Sequence, residues 1–456
     1  MDGTMNFDLV IKNGTVVTAV ATYQADIGIN GEQIAAIGQG LHGRRELDAA
    51  DKLVIPGGID PHVHLQYQLP NFRSADDFFS GTRAAALGGT TTVIDFVEPQ
   101  AAQTMLDGLA ARNAEAAGQT VIDYSFHMTI GPHEIEKLDQ VAAAYAAGCA
   151  SFKLYMAYGM RLTDDQLLRA LQAIRDVNGL PVVHAENWDV ICALVAQNLA
   201  AGRTEPGWHP HSRPSLLEAE AASRLIDIAT YVGTRVHIFH ISCAEVVERL
   251  ADAQRRGLPV TGETCPHYLL LNCGVFERPL PQAARYICSP PLRSHDDQLH
   301  LWRALGQDVV NIVTTDHCPF TQAEKEQNLH DYSQIPGGLP GIEARLSLLY
   351  SYGVRDGYFS LNRWVEMSST RVAQLFGLRQ KGHIAPGYDA DLVIFDPQKR
   401  IVLSTETLHE QVDWTPYEGV PVTGWPTTTL CRGQVVVEDG KFVGEAGYGR
   451  FISRSF

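Results

Sequence analysis

Residues 58–66, GIDPHVHLQ, form a short apolar run that ends in two histidines with one valine between them. Successive side chains of a β-strand point to opposite faces, so His62 and His64 share one face while Val63 takes the other. Two imidazoles are therefore aimed at one point. Alone, the pair fits either a polar corner of a packed core or two ligands of a metal ion. The rest of the chain decides between these alternatives.

Short apolar runs of this kind occur eight times along the chain. Segments with helical patterns, such as residues 76–89 and 162–177, lie between the runs. Eight strand–helix units favour an α/β fold with a closed (β/α)8 barrel, the TIM barrel, over an open parallel sheet. The eight runs are IDPHVHL (59–65), TTTVIDF (90–96), VIDYSFHM (121–128), ASFKLYM (150–156), PVVHAE (181–186), VHIFHIS (236–242), PVTGETC (259–265) and NIVTTD (311–316).

The two ends of the chain differ from the middle in their sequence pattern. Residues 7–38 and 428–444 alternate short β-branched runs with glycine-containing turns, which is typical of small antiparallel sheets. We therefore expect one small β-sandwich domain built from both chain ends. The predicted divisions are 1–56 and 382–456 for the sandwich and 57–381 for the barrel.

Composition excludes several classes of protein. Of the 456 residues, 52 are acidic and 36 are basic, and the net charge of −16 would repel the phosphate backbone of a nucleic acid. No apolar run is long enough to span a bilayer, so we expect no membrane partner. The first residues lack the basic-then-apolar pattern of a secretion signal, which predicts a cytoplasmic protein.

Polar residues recur at the carboxyl ends of the predicted strands, where barrel enzymes carry their catalytic groups. By itself, His184 would fit a core histidine and Asp316 a helix cap. His237 lies on the same strand as His240 without an obvious partner, and we interpret it as structural. Four histidines and one aspartate at strand ends together match the ligand set of a catalytic divalent-metal site. These ligands are His62, His64, His184, His240 and Asp316.

Lys153 interrupts the apolar run of the fourth predicted strand. A protonated ammonium cannot bind a metal ion, and burying it unpaired would be costly. One interpretation is that it pairs with a carboxylate or reaches solvent. The other is that its amine reacts with carbon dioxide to form a carbamate, an N6-carboxylysine, which can bridge two cations. The second interpretation predicts a binuclear site.

Eight segments resemble the hydantoinase and dihydropyrimidinase family of cyclic amidohydrolases. The resemblance runs nearly end to end and includes the split sandwich domain. The segments are GGIDPHVHL (57–65), ADDFFSGTRAAALGGTTTVIDF (75–96), SFKLYMAY (151–158), VVHAEN (182–187), CPHYLLL (265–271), SPPLR (289–293), TTDHCPF (314–320) and GLPGIEARL (338–346).

The resemblance implies two divalent metal ions per subunit, usually zinc. His62, His64, Lys153 and Asp316 would hold one ion, and the carboxylated Lys153 with His184 and His240 would hold the other. Two such ions can share a hydroxide that attacks a ring amide carbonyl at neutral pH. The expected substrate is a small cyclic ureide or imide, and the family implies a homotetramer.

The resemblance also assigns roles to further residues. Tyr155 would donate a hydrogen bond to the tetrahedral oxyanion, although it also fits a packing residue at the rim of the barrel. Asp316 would take a proton from the hydroxide and pass it to the leaving ring nitrogen. Ser289 would hold the ring amide of the substrate through main-chain groups. Gly337 departs from the family pattern, because many relatives have asparagine there, and a main-chain contact from glycine would come from a looser loop.

Two loops leave the predicted strands at the face that binds substrate, and their side chains are mainly apolar or aromatic. We expect them to form a lid that packs an exocyclic group of the substrate, or alternatively one that only keeps water from the metals. The first interpretation predicts hydrolysis of 5-monosubstituted hydantoins to N-carbamoyl amino acids, with aromatic substituents favoured. The predicted lid residues are Leu65, Tyr67, Leu69, Phe72, Tyr158 and Met160.

Several alternatives remain at this stage. A dihydropyrimidinase would act on dihydrouracil or dihydrothymine with the same ligands. A dihydroorotase would typically carry an arginine at the position of Gln66, and an allantoinase matches residues 76–89 less well. A non-catalytic scaffold of the same family would have lost metal ligands, and all six are present here.

Overall fold

The computed structural model describes residues 6–456, and the first five residues of the predicted sandwich domain lie outside the described residues. Over the described range the chain forms seventeen strands in two sheets. In chain order the strands are β1 (Asn6–Val17), β2 (Thr22–Asn30), β3 (Gln33–Gly38), β4 (His42–Asp48), β5 (Leu53–Pro56), β6 (Gly58–Asp60), β7 (Thr90–Val97), β8 (Asp123–Thr129), β9 (Ser151–Tyr155), β10 (Leu180–His184), β11 (Val236–Ile238), β12 (Val260–Thr264), β13 (Ile312–Val313), β14 (Leu392–Val402), β15 (Pro421–Cys431), β16 (Gln434–Glu438) and β17 (Lys441–Phe442).

Helices of varied length fill the segments between the strands, and none among residues 6–456 is long and apolar enough to cross a bilayer. Short 3₁₀ turns and two π-helical stretches, Tyr350–Val354 and Glu366–Thr370, accompany them. The α-helices are α1 (Phe78–Leu87), α2 (Met105–Ala116), α3 (Val141–Ala146), α4 (Asp164–Asp176), α5 (Trp188–Ala200), α6 (His209–Ser212), α7 (Ser215–Val232), α8 (Ala244–Arg255), α9 (Pro266–Leu270), α10 (Leu280–Arg285), α11 (His295–Gly306), α12 (Gln322–Lys325), α13 (Arg345–Leu349), α14 (Leu361–Val365) and α15 (Arg371–Phe376).

Helix α1 follows directly from its sequence. The backbone N–H of Ser80 donates to the carboxylate of Asp77, and the backbone N–H of Asp77 donates back to the Ser80 hydroxyl. This reciprocal cap satisfies two donors that the first turn of a helix leaves unpaired. The alanines and Phe78 then bury one face of the helix against the barrel. Both helical segments expected from the sequence, 76–89 and 162–177, are confirmed as α1 and α4.

The strands β6 to β13 form the second sheet, and each pairs in parallel with the next along the chain. The segments that follow the first and last strands meet through a parallel bridge between Val63 and His317, where the His64 N–H donates to the His317 carbonyl (2.8 Å). The carboxylate of Asp60 adds a link, since it accepts from the Thr315 hydroxyl (2.6 Å). All eight predicted runs contribute barrel strands in the predicted order, which confirms the fold class.

Three barrel strands end well before the predicted runs do. β6 ends at Asp60, β11 at Ile238 and β13 at Val313, so the polar residues that follow lie in loops just beyond the sheet. His240 and Asp316 have φ angles of 40° and 49°, a left-handed conformation that is costly for residues other than glycine and interrupts strand pairing. Such strain is concentrated at functional sites in proteins.

The first sheet joins both ends of the chain. Its order is β17-β16-β15-β14-β5-β1-β2-β3 over the described residues, with β4 paired in parallel to β1. The junction is antiparallel pairing of β14 with β5, and aliphatic side chains such as Ile11, Ile27 and Ile394 pack into its core. This confirms a small β domain built from both chain ends. The domain boundaries themselves stay predictions.

Candidate active site

Three of the predicted metal ligands meet at the seam where the barrel closes. The Nε2 atoms of His62 and His64 lie 3.1 and 3.3 Å from one carboxylate oxygen of Asp316. A tetrahedral ion with bonds of about 2.0–2.2 Å holds its ligand atoms roughly 3.3 Å apart. The spacing and the N/O chemistry of this trio therefore fit one divalent ion.

A second group of ligand atoms lies next to the first. Nδ1 of His184 and Nε2 of His240 are 2.9 Å apart, and the ring of His240 is 5.4 Å from that of His62. Burial keeps the pKa of His240 well below its ordinary value, so this imidazole is neutral and can offer a lone pair. Burial likewise lowers the pKa of His184. The two nitrogens fit ligands of a second ion.

Lys153 lies in the middle of β9 and is almost completely buried. Its Nζ sits over aromatic rings, 4.1 Å from the ring centre of Phe239 and 5.5 Å from that of Phe96. Burial lowers the pKa of this amine to about 7, although the nearby carboxylates, Asp316 foremost, favour its charged form. A lysine with this pKa has a large neutral fraction at neutral pH.

Asp316 is an ionised carboxylate in this arrangement. Burial alone would raise its pKa, but the charge of His62 and hydrogen bonds from His62 and His64 hold that pKa well below its usual range. Six predicted ligands, from five different strands or strand ends, are thus gathered at the carboxyl-terminal mouth of the barrel.

Sequence reasoning missed the carboxylate that orients His62. Glu263 on β12 accepts a hydrogen bond from His62 Nδ1 (2.6 Å), so Nε2, the ring nitrogen that faces Asp316, is the one that would bind a metal ion. Burial would raise the pKa of Glu263, yet His62 and His237 bring it down to about 2. Metal-binding histidines commonly donate their other ring N–H to a carboxylate in this way.

His237 acts together with Glu263. Its Nε2 donates to the second oxygen of Glu263 (3.1 Å), and its Nδ1 accepts from the Thr261 hydroxyl (2.8 Å). The sequence had given His237 no partner, and the structure corrects that expectation. A glutamate within an apolar barrel strand, like the lysine at 153, was the signal in the sequence for this pair.

Glu186 plays the same part for His184. Nε2 of His184 donates to Glu186 (2.8 Å), and the guanidinium of Arg213 donates to the same oxygen (2.5 Å). Burial opposes ionisation of Glu186, but Arg213 and His184 lower its pKa to about 2. The second ring nitrogen of each of two ligand histidines is thus held by a buried, charged carboxylate.

Replacing Glu263 with glutamine should weaken metal binding without removing a ligand. We expect the affinity for an ion at His62 to fall by roughly 10–100-fold, because the amide lacks the negative charge and binds the Nδ1–H of His62 more weakly. Competition with a chelator, read as metal content per chain, measures this. The exposed Glu248 on α8 gives a matched Glu248→Gln control. Unchanged affinity in Glu263→Gln would remove Glu263 from the site.

A second cluster of carboxylates has donor spacing suited to a cation. Asp123, Asp389 and Asp391 are buried close together. However, the ammonium of Lys381 lies 2.8, 3.1 and 2.6 Å from them, and Arg432 also contacts Asp123. The cation of this cluster is therefore the lysine, and the charges are neutralised without a metal.

The predicted substrate-binding residues lie at the same mouth. Tyr155 ends β9, with its ring centre 4.6 Å from the Lys153 amine and 6.1 Å from the ring of His184. Burial raises the pKa of its phenol well above the ordinary value, so the hydroxyl keeps its proton. Ser289 and Gly337 lie beside each other, since a Cβ built on Gly337 would be 3.8 Å from the Ser289 hydroxyl oxygen.

Two of the predicted lid residues contact ligand histidines. The ring of Tyr67 is 5.2 Å from that of His64, and the ring of Tyr158 is 5.1 Å from that of His184. Trp188, which the sequence analysis did not single out, packs against Tyr158 with the ring centres 5.1 Å apart. These aromatic rings line the approach to the six ligands.

The remaining lid residues are more dispersed. Phe72 packs on Phe320, Met160 lies against Gly131, and the half-buried Leu69 donates its N–H to the Phe72 carbonyl.

Leu65 departs from the expectation of a lid. Its side chain is fully buried against Gly81 of α1, where a Cβ would come within 2.3 Å of a leucine methyl. Leu65 therefore lies in the wall of the barrel and not at the entrance.

Known proteins resemble this chain over nearly its whole length. The model of the Amidohydrolase family matches residues 53–436. A D-hydantoinase of Geobacillus stearothermophilus is 44% identical over 453 residues, covering 98% of this chain and 96% of that protein. A D-phenylhydantoinase of Escherichia coli O1:K1 is 40% identical over 454 residues, covering 98% of each chain. The solved structure of a D-hydantoinase from a Bacillus sp. AR9 superposes with a TM-score of 0.95 at 44% identity, covering 98% of this chain and 99% of that one.

Proposed function

The chain belongs to the amidohydrolase family, and from that premise we propose that it opens the ring of 5-monosubstituted hydantoins by hydrolysis, giving N-carbamoyl amino acids. The observation that carries this proposal is the convergence of two ligand groups around Lys153 at the mouth of the barrel. A hydantoin is a cyclic amide with an exocyclic group at carbon 5. The aromatic rings of Tyr67 and Tyr158 beside the ligands suit that group.

We propose that His62, His64 and Asp316 hold one divalent ion and that His184 and His240 hold the other. Zinc suits these ligands, because imidazole and carboxylate donors at tetrahedral spacing are typical of it. When bound, two such ions activate water as a nucleophile and polarise the carbonyl under attack.

Lys153 would join the two ion sites as a carbamate. Its neutral amine attacks carbon dioxide, a nitrogen–carbon bond forms, and one proton leaves to solvent. The pKa of about 7 supports this step, because an amine with its ordinary pKa would be almost wholly protonated and unreactive at neutral pH. The product is an anion with two oxygens, which removes the cost of a buried ammonium next to metal ions.

Asp316 and Tyr155 would then act on the reacting groups. The Asp316 carboxylate, which is ionised, accepts the proton of the attacking water and returns it to the leaving ring nitrogen. The Tyr155 hydroxyl, which keeps its proton, donates to the oxygen that becomes negative when the carbonyl is attacked. Main-chain groups of Ser289 and Gly337 would hold the ring amide so that its carbonyl faces these residues.

A substrate panel tests this function. We expect D-5-phenylhydantoin to be opened with a kcat/KM roughly tenfold or more above that of unsubstituted hydantoin and dihydrouracil, because the ring buries apolar area against the aromatic side chains. The D-enantiomer is chosen because the relatives above are D-hydantoinases. Ring opening is followed by absorbance or chromatography at equal metal loading, with allantoin as a further member of the panel.

Other outcomes of the panel have clear meanings. Faster hydrolysis of dihydrouracil than of D-5-phenylhydantoin would make the chain a dihydropyrimidinase. A chain that binds no metal and opens none of the rings would be a scaffold. The homotetramer also stays a prediction, which light scattering of the purified protein measures.

A further inference from the structure

Lys325 is a buried lysine that the proposed chemistry does not use. It ends the short helix α12, and its side chain is completely buried. Its Nζ donates to two main-chain carbonyls, those of Ile287 and Pro336, each at 2.7 Å. Burial lowers the pKa of this amine to about 7. Burying an amine costs free energy of folding, so we expect a lysine at this position to have a role beyond packing.

The two carbonyls belong to the two segments that carry the proposed substrate contacts. Ile287 lies two residues before Ser289, and Pro336 directly precedes Gly337. The same Ile287 carbonyl also accepts from the Gly338 N–H (3.1 Å). The amine of Lys325 thus links both segments through hydrogen bonds to their main-chain carbonyls.

His209 fastens the first segment a second time. Its Nε2 donates to the Cys288 carbonyl (2.8 Å), and the ring is buried. Burial lowers the pKa of His209 to about 3, so the imidazole is neutral and its proton sits on the nitrogen that donates. The two carbonyls immediately before Ser289 are therefore both held by buried side chains from other parts of the chain.

We propose that Lys325 and His209 are positioning residues that set the spacing between the main-chain groups of Ser289 and Gly337, and thereby the binding of the ring amide. An amide ring edge offers a donor and an acceptor side by side, and two peptide groups can match it only at one separation. Displacement by an ångström is enough to lose most of such a contact. This inference rests on the function proposed above, because it assigns the role through Ser289 and Gly337.

Lys325→Met tests the inference, since methionine fills similar volume without an amine. With D-5-phenylhydantoin we expect KM to rise by roughly tenfold while kcat stays within about threefold of wild type, because the lost contact is made before and during reaction alike. Metal content should stay at the wild-type value. A loss of general stability would instead lower the amount of active enzyme, and with it the apparent kcat, without moving KM.

Lys137 provides the matched control. Its Nζ also donates to two main-chain carbonyls, those of Ala101 (3.0 Å) and Gln103 (2.7 Å), in a loop before α2. Lys137→Met removes an equivalent pair of hydrogen bonds away from the proposed site and should leave KM and kcat unchanged. A folded Lys325→Met enzyme with wild-type metal content and unchanged KM would overturn the inference.

His209→Phe tests the positioning role independently if Lys325→Met does not fold. It removes the bond to Cys288 alone, and a raised KM with wild-type metal content supports the inference, whereas an unchanged KM overturns it. Wild-type enzyme runs in the same assay. A metal-loaded wild type that opens no ring contradicts the proposed function, while an active wild type with unaltered variants contradicts only the positioning role.

Discussion

Lys153→Ala is expected to lower kcat/KM for D-5-phenylhydantoin by roughly 10³-fold or more, since the metal ions supply several kcal/mol of stabilisation to the transition state. Alanine removes the proposed carbamate, so the two ions lose the anion between them. In this variant the proposed ion site at His184 and His240 would have only two neutral imidazoles as ligands. We therefore expect that site to lose its metal first. Metal analysis of the purified variant, together with steady-state kinetics, measures both effects.

Chemical rescue separates the carbamate from other roles of Lys153. Propionate can enter the space left by the side chain and supply a carboxylate near the former position of the carbamate. We expect partial recovery of activity and metal content with propionate and none with propanol. Lys137→Ala controls for the loss of a lysine side chain elsewhere. Two bound metals and normal turnover in Lys153→Ala would rule out the binuclear interpretation.

The order of barrel strands could be predicted because each apolar run is short and is followed by a helical segment. The lengths of the strands were harder to predict. His240 and Asp316 adopt a left-handed backbone that no pattern of hydrophobicity indicates, so the runs around them extend further in sequence than in structure. The same feature turns their side chains towards the site. Strain at these two positions is thus part of how ligands from separate strands converge.

The candidate metal ligands could be selected from the sequence because residue type and strand position both point to them, and the structure brings these side chains together. The residues that hold the ligands in place were missed, since their role depends on a partner far away in sequence. Glu263 reaches His62 across 201 positions. Lys325 lies in a polar stretch, TQAEKEQN (321–328), which is typical of an exposed helix end, and only tertiary packing buries it.

The sequence also could not predict which way the side chains of a loop point. Leu65 and Tyr67 are two positions apart in one loop, yet the first fills a gap over Gly81 and the second contacts His64. A test of substituent preference should therefore use Tyr158 or Tyr67. Truncating Leu65 would open a cavity in the barrel wall and cost stability without reporting on the substrate.

Tyr155→Phe is expected to lower kcat by roughly 10²–10³-fold, the usual effect of removing one donor to an oxyanion. The phenylalanine keeps the ring that packs between Lys153 and His184, so metal content and folding should stay at wild-type values. KM should change little, because the oxygen accepts this hydrogen bond strongly only when it becomes negative. Kinetics at saturating substrate and metal analysis give the two measurements.

Tyr124 supplies the control for that experiment. It is also a buried tyrosine of the barrel, near the amino-terminal end of β8, and its hydroxyl donates to Asn113 on α2 (2.9 Å). Tyr124→Phe loses a hydroxyl of the same kind, which should cost stability by about 1 kcal/mol and leave kcat unchanged. A loss of only a few fold in kcat, or a loss of metal together with kcat, would contradict the donor role of Tyr155. Tyr155 would then be a packing residue at the mouth of the barrel, and the metal ions and the main chain alone would stabilise the oxyanion.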